Sequence, residues 1–339
     1  MDLNKIFLKD ACPTSIGGQA IMEGIMMRGP KKTAIAIRLP NGKIHMKVEP
    51  APKGYKIGKI PLIRGVVNFI ASLVYGTKVL MYSADILEQN YPEDYEKDKF
   101  DIWVEEKVGK EKAWNILLAI SVVVSLVFSI GIFMLLPTAV CGWCTAFTDN
   151  VIVLNLIEGL VRILIFILYI WAISFMKDIK TVFQYHGAEH KTIHCFENGL
   201  ELTPENAQTF YTLHPRCGTS FLMFVMIVAI ICHVFMGWPN VWMRVILRLA
   251  VLPLIAGISY ELLKWAGRSN SKIVEFISLP GIYLQKLTTR VPDNDQLEVA
   301  IAAMKAVIPH DGDDEEPYFI GICDKDGKPV EGEVEYYEP

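Results

Sequence analysis

From Trp114 to Leu136 the chain carries no charged side chain, and this stretch constrains the fold more than any other. A run of that length and composition reaches across the hydrocarbon of a bilayer as a helix. Only a helix or a closed barrel satisfies its own backbone polar groups there, so the segment is read as a transmembrane helix. Three more follow: Val151–Met176, Thr219–Gly237 and Val241–Trp265. Glu158 and Arg162 lie inside the second at a spacing of four, which lets them pair on one helix face and offset the cost of burial. His233 sits near the end of the third, Arg244 and Arg248 near the start of the fourth, and Glu261 near its finish. Ile60–Ala84 is also apolar but is broken by Arg64, Gly65, Asn68, Gly76 and Lys78, and reads better as an amphipathic helix on the membrane surface or packed on the protein. The content of 52% hydrophobic residues suits this class.

Loop charges set the expected orientation. The loop 137–150 and the turn 238–240 have no Lys or Arg, whereas Lys107, Lys110, Lys112, Lys177, Lys180, Lys191, Arg216, Arg268, Lys272, Lys286 and Arg290 fall in the other connections. By the positive-inside rule both termini and the loop 177–218 are cytoplasmic, in a multi-pass protein of the cytoplasmic membrane. The start, MDLNKIFLKDACPTSIGG, has no apolar core of signal-peptide length. Three regions result: 1–113 with a small β unit and the amphipathic helix, 114–266 with the four spans, and 267–339 with an acidic tail. In the first, Thr33–Leu39 and Lys43–Val48 alternate around Pro40-Asn41-Gly42, a hairpin pattern. Before them Gly17-Gly18-Gln19-Ala20 leads into a glycine-punctuated loop, Met22–Pro30, whose Glu23 and Arg28 are either functional or an ordinary loop salt bridge. Residues 88–113 read as a charged connector. In the tail, Tyr318–Cys323 and Gly332–Tyr337 have strand character within a segment otherwise read as partly disordered. Seven scattered cysteines make no disulfide framework, and the lone Cys141-x-x-Cys144 is weak evidence for redox chemistry.

The chemistry concentrates in Tyr185–Glu197, where His186-x-x-Glu189-His190 is followed by His194. A four-residue step on an α-helix turns about 400°, so the histidines share one face with a drift of ~40° per step. Two imidazoles there can close on one divalent ion, with Glu189 beside them to deprotonate a water. H-x-x-E-H is a known zinc-hydrolase signature. The same spacing also describes a polar surface helix, but three of the chain's seven histidines within nine positions favour a metal. No breaker separates the second span from this helix, so one helix is expected to run to a stop at Asn198-Gly199. Thr203-Pro204 reads as the start of a short helix. His214 and Cys217, just before the third span, are candidates to complete the ligand set; Glu261, from a later helix, is the rival.

Three blocks carry a family resemblance: Ile16-Gly17-Gly18-Gln19-Ala20-x-Met22-Glu23-Gly24-x-Met26-Met27-Arg28-Gly29-Pro30, Tyr185-His186-Gly187-Ala188-Glu189-His190-Lys191, and His214-x-x-Cys217-Gly218-Thr219-Ser220-Phe221. They are similar to those of the YqhQ-like bacterial membrane proteins, and Leu287-Thr288-Thr289-Arg290-x-Pro292-Asp293 resembles a fourth block. The resemblance covers residues 14–308 and implies a multi-span protein described as a metal-dependent enzyme, without a substrate. The expectation is a mainly α polytopic membrane protein with a small cytoplasmic β-hairpin unit. It acts as a zinc hydrolase with Glu189 as general base and His186, His190, His214 and Cys217 as the ligand set; a scaffold, transporter or sensor with a structural metal is the alternative. The bilayer is its partner, nucleic acid is not, and self-association is left open.

Overall fold

The computed structural model describes residues 12–52, 60–90, 99–267, 269, 271–310 and 317–338. The first eleven residues, Arg268, the middle of the charged connector and the start of the acidic tail therefore lie outside the described residues. Contacts divide the chain into two compact units: Met1–Asn90 with Ile170–Val225 and Ala256–Pro339, and Tyr91–Tyr169 with Met226–Ile255.

The first unit is built on one six-stranded antiparallel sheet in the order β1 (Gly17–Ile21), β2 (Gly24–Arg28), β3 (Lys32–Arg38), β4 (Ile44–Pro50), β5 (Tyr318–Cys323) and β6 (Pro329–Tyr337). The predicted hairpin is β3–β4, with Arg38 opposite Ile44 and Gly42 at φ 78° in the turn. The segment read as a glycine loop is a second hairpin, β1–β2. Its glycines hid it because they have low strand propensity. Gly24 is there for close approach: a Cβ on it would lie 2.2 Å from the Ala36 carbonyl oxygen. The two strands suggested in the tail pair with each other, and β5 also pairs with β4, Ile44 facing Cys323 and Val48 facing Phe319. The N- and C-terminal regions, separate in sequence, thus share a sheet.

Strand side chains alternate between faces. Ile44, Met46 and Val48 enter a core with Tyr185, Ala188 and Cys195 of α6 (Lys177–Glu197) and Leu297, Ala300 and Met304 of α11 (Asn294–Lys305). On the other face, His45 meets Tyr82 at 2.6 Å and Glu49 meets Tyr75 at 2.7 Å, both from α1 (Ile63–Asn90). α1 also reaches α9 (Val241–Ala266), through Arg64 with Glu261 and Asn68 with Tyr260. α7 (Pro204–Gln208) starts on the predicted cap, the Thr203 side chain accepting from the Asn206 amide. α10 (Lys272–Thr288) precedes α11, whose start is closed by an Asp293–Gln296 capping box.

The second unit contains α2 (Lys99–Val108), then α3 (Lys110–Ile130), which runs through a π turn into α4 (Leu136–Gly142). It also holds most of α5 (Val151–Ile173) and parts of α8 (Thr219–Val234) and α9. Val122, Val124, Leu126, Val127 and Phe128 of α3 point outward and exposed. Among the described residues, four helices are long and apolar enough to cross a membrane: Ile63–Asn90, Ala119–Ala146, Val151–Ile173 and Val241–Ala266. The number equals the expected one but the set differs. α1 qualifies by length, while α8, at 16 residues, is shorter than the others. The helix expected to continue unbroken from α5 is interrupted at 174–176, where Met176 adopts an extended conformation and caps α6. Cys141 and Cys144 are both free, and the Cys141 thiol donates to the Leu154 carbonyl.

Candidate metal centre

α6 carries most of the centre because its two faces have different duties. Tyr185, Ala188 and Cys195 fill the core, which turns His186 and His190 toward the loop before α8. Their rings lie 4.5 Å apart, as a four-residue step predicts. Gly187 allows the helix to touch the chain after α10, since a Cβ there would come within 2.0 Å of the Arg290 carbonyl oxygen. The helix ends as predicted, at Glu197, with Gly199 at φ 68°.

Ligand-capable atoms of His186, His190 and Cys217 all lie within 4.8 Å of one another. His186 Nε2 is 3.1 Å from Cys217 Sγ, and its Nδ1 faces the Thr288 carbonyl at 2.8 Å. His190 Nδ1 faces the Thr212 carbonyl at 2.6 Å, while its buried Nε2 has no hydrogen-bond partner among the described residues. A backbone carbonyl can only accept, so in both rings Nδ1 carries the proton and Nε2 presents a lone pair inward. This is the usual way a protein presets a ligand histidine. The Thr219 amide and hydroxyl approach Cys217 Sγ at 3.4 and 3.2 Å. Burial pushes the His190 pKa down to about 4, with the nearby Cys217 acting against it, so the ring is neutral at physiological pH.

Glu189 is buried beside this group and accepts a hydrogen bond from the Gly18 amide at 2.8 Å. Burial raises its pKa, against the opposing effects of His186 and that amide. Glu189, His190, His214, Arg216 and Cys217 line a cavity of about 290 Å³ together with Thr14–Gly18 of the N-terminal segment.

The remaining predicted residues do not join the His186, His190 and Cys217 group. His214 is buried next to the cavity, but its Nδ1 accepts from the Arg216 amide and its Nε2 lies 3.9 Å from Glu197. Burial lowers its pKa to about 4 despite Glu197. The two sides of the Gln285 amide clamp its backbone, Oε1 taking the His214 N–H and Nε2 donating to its carbonyl. His194 Nε2 faces the Leu213 carbonyl at 2.9 Å, and its ring stacks on Phe210. Glu261 is held by Arg64 and the Leu62 amide. Glu23 occupies the β1–β2 turn at φ 48°, and Arg28 donates to the Pro52 carbonyl. None of these three lines the cavity. Sequence reasoning passed over Gly18, Thr212, Thr288 and Gln285. Two of them, Gly18 and Thr288, stand in blocks noted for family likeness, which was the only signal.

The family model described as "Protein of unknown function (DUF1385)" matches residues 60–310. The uncharacterized protein YqhQ of Bacillus subtilis (strain 168) is 35% identical over 308 residues, covering 88% of this chain and 94% of that protein. No solved structure matches the chain. The match spans the helix that carries His186 and His190 and the loop that carries Cys217, and the chain belongs to the YqhQ-like DUF1385 family.

Proposed function

We propose that this chain is a metal-dependent enzyme of the cytoplasmic membrane, a zinc hydrolase with its centre at the cytoplasmic surface. The observation that carries the reading is the convergence of two preset imidazole nitrogens and one sulfur, with His190 Nε2 buried and unpartnered. A buried polar nitrogen without a partner is costly, and a cation removes the cost. Mixed nitrogen and sulfur donors suit zinc. Three protein ligands with His214 turned toward Glu197 leave a fourth position open, which favours catalysis over a closed structural site.

When bound, such an ion supplies Lewis acidity, acidifying water and polarising a carbonyl or phosphoryl oxygen. The residues of the chain do the rest. Gly18 N–H holds one Glu189 oxygen, and the carboxylate lines the cavity beside His190 and Cys217. Glu189 takes a proton from the attacking water and returns it to the leaving group, a role worth roughly 10²–10⁴-fold in rate. The Thr212 and Thr288 carbonyls keep both imidazoles in the ligating tautomer.

The membrane arrangement follows from a parity argument. β4, α6 and β5 pack in one core and so lie on one side of a membrane. An even number of crossings then separates β4 from α6, although α1, α3–α4 and α5 are all long enough. α1 is the one that packs its tyrosines on the sheet, so the crossings are α3–α4 and α5. The same parity pairs α8 with α9. A 16-residue helix spans about 24 Å, a short crossing that the following apolar residues extend. The absence of Lys and Arg from 137–150 and 238–240 supports a cytoplasmic sheet and centre.

The test is metal analysis of detergent-purified protein, wild type beside His190→Ala, Cys217→Ala and Glu189→Gln, with complementation of a strain lacking the gene. The expected result is stoichiometric zinc lost from the first two variants. Glu189→Gln should keep zinc yet fail to complement at normal expression. Full complementation by Glu189→Gln would leave a structural metal site instead.

A further inference from the structure

A second cluster lies inside the other unit, far along the sequence from the metal centre. Glu158 and Arg162 pair as their spacing predicts, at 3.3 Å, but they are not alone. Arg248 of α9 forks onto the same carboxylate and reaches Thr138 at 3.2 Å and Asn155 at 3.4 Å. Arg244, one turn earlier, comes only to 3.8 Å from Glu158. Glu158, Arg244 and Arg248 are 1%, 7% and 4% exposed.

The charges do not balance. Arginine stays protonated in proteins, so three guanidiniums face one carboxylate and leave a surplus of two positive charges even with His233 neutral. Glu158 is the one carboxylate with ion pairs to these arginines among the described residues. Arg162 relieves itself partly, its Nε donating to the Phe133 carbonyl at 2.9 Å and Nη1 facing His233 Nδ1 at 3.4 Å. Arg244 does not. Its Nε and Nη1 are buried with no hydrogen-bond partner among the described residues, and its guanidinium lies 4.0 Å over the Trp238 ring. A buried cation with idle donors is among the most costly arrangements in a protein unless something from outside completes it.

We propose that Arg244, with Arg162 and Arg248, forms an anion-binding site that takes a phosphate group from outside the chain. A phosphate monoester matches the surplus of two charges, and its oxygens match the idle Nε and Nη1 donors of Arg244. Arg244 lies one turn into α9, next to the short turn 238–240, and the phosphate would come either from a lipid headgroup or from solution. The site shares no residue with the metal centre, and its fate does not depend on the hydrolase reading.

The experiment uses the full chain purified in a neutral detergent. Two probes are titrated: inorganic phosphate against chloride at equal ionic strength, and phosphatidic acid against phosphatidylcholine in mixed micelles. Thermal unfolding and native mass spectrometry provide the readouts. Saturable binding of one anion per chain is expected, with a raised unfolding temperature. A response to inorganic phosphate alone identifies a soluble ligand, and a response to phosphatidic acid alone a lipid headgroup. Arg244→Gln should weaken binding roughly tenfold or more, as for a lost charged hydrogen bond. Its unfolding temperature without anion should be no lower than wild type, because a surplus charge has been removed; an arginine serving only the fold would lower it. Arg162→Gln gives the same binding test should the first variant not purify. Failure of the wild type to bind either probe, or binding unchanged in the variants, overturns the proposal.

Discussion

At the scale of single residues, the centre depends on backbone groups as much as on side chains. Gly18 shows this best: a Cβ there would sit 2.6 Å from the Met26 carbonyl oxygen and 3.2 Å from the Glu189 carboxyl carbon. Gly18→Ala therefore presses on the β2 backbone at Met26 and on the Glu189 carboxyl, without touching His186, His190 or Cys217. Metal content should stay near wild type while complementation drops toward that of Glu189→Gln, and loss of metal would mean that the amide supports the ligands instead. The ligand set was half legible in the sequence. Helical period alone joins His186 to His190, but the ~40° drift per step carries His194 about 80° round from His186, where it meets the Leu213 carbonyl. Choosing between His214 and Cys217 depends on which atoms the loop before α8 turns inward, and no spacing rule reports that. Glu197 was not singled out at all. Burial pushes its carboxyl up, but the facing His214, the Thr14 amide and Arg216 outweigh this and hold it down at about 2. A depressed carboxylate pKa stabilises the fold fully above the unfolded value of ~4.3, and the gain is lost as pH falls toward 2. Acid unfolding followed by fluorescence should show that loss in wild type, and a flatter profile between pH 5 and 2 in Glu197→Gln.

At the scale of elements, α6 is a helix wedged between a core and a loop. Gly187→Ala would press a methyl group into the Arg290 carbonyl, 2.0 Å away, and against Thr212, whose own carbonyl orients His190. Overpacking of that kind costs about 2 kcal/mol or more. The variant should melt several degrees lower and bind zinc more weakly, whereas unchanged metal affinity would uncouple the α6 contact from the centre. The long apolar helices and the β3–β4 hairpin were legible because their periods are strong. The break at 174–176 was not, since Ser174-Phe175-Met176 contains neither glycine nor proline. There Arg290 approaches the Ser174 hydroxyl at 3.4 Å, a contact from more than a hundred residues away. β1 and β2 escaped notice because three of their residues are glycines, and two of these, Gly18 and Gly24, serve close approach rather than strand propensity.

At the scale of the whole molecule, the proposed topology makes a direct prediction. Reporter fusions at Gly142 and Pro239 should read outside, and fusions at Gly199 and Pro309 inside; an outside signal at Gly199 would remove the centre from the cytoplasm. The acidic tail was legible as charge, but its strands become meaningful only through β4, which supplies the partner. That pairing also sets a timetable. Residues 51–317, every membrane helix among them, must leave the ribosome before β5 can cover the open side of β4. Through all that time the nascent protein presents a bare strand edge, the feature that invites pairing with other chains. A chaperone bound near the translocon would have a long interval in which to recognise it. A message cut short before codon 318 would yield a product inserted in the membrane yet permanently marked for degradation by that unfilled edge.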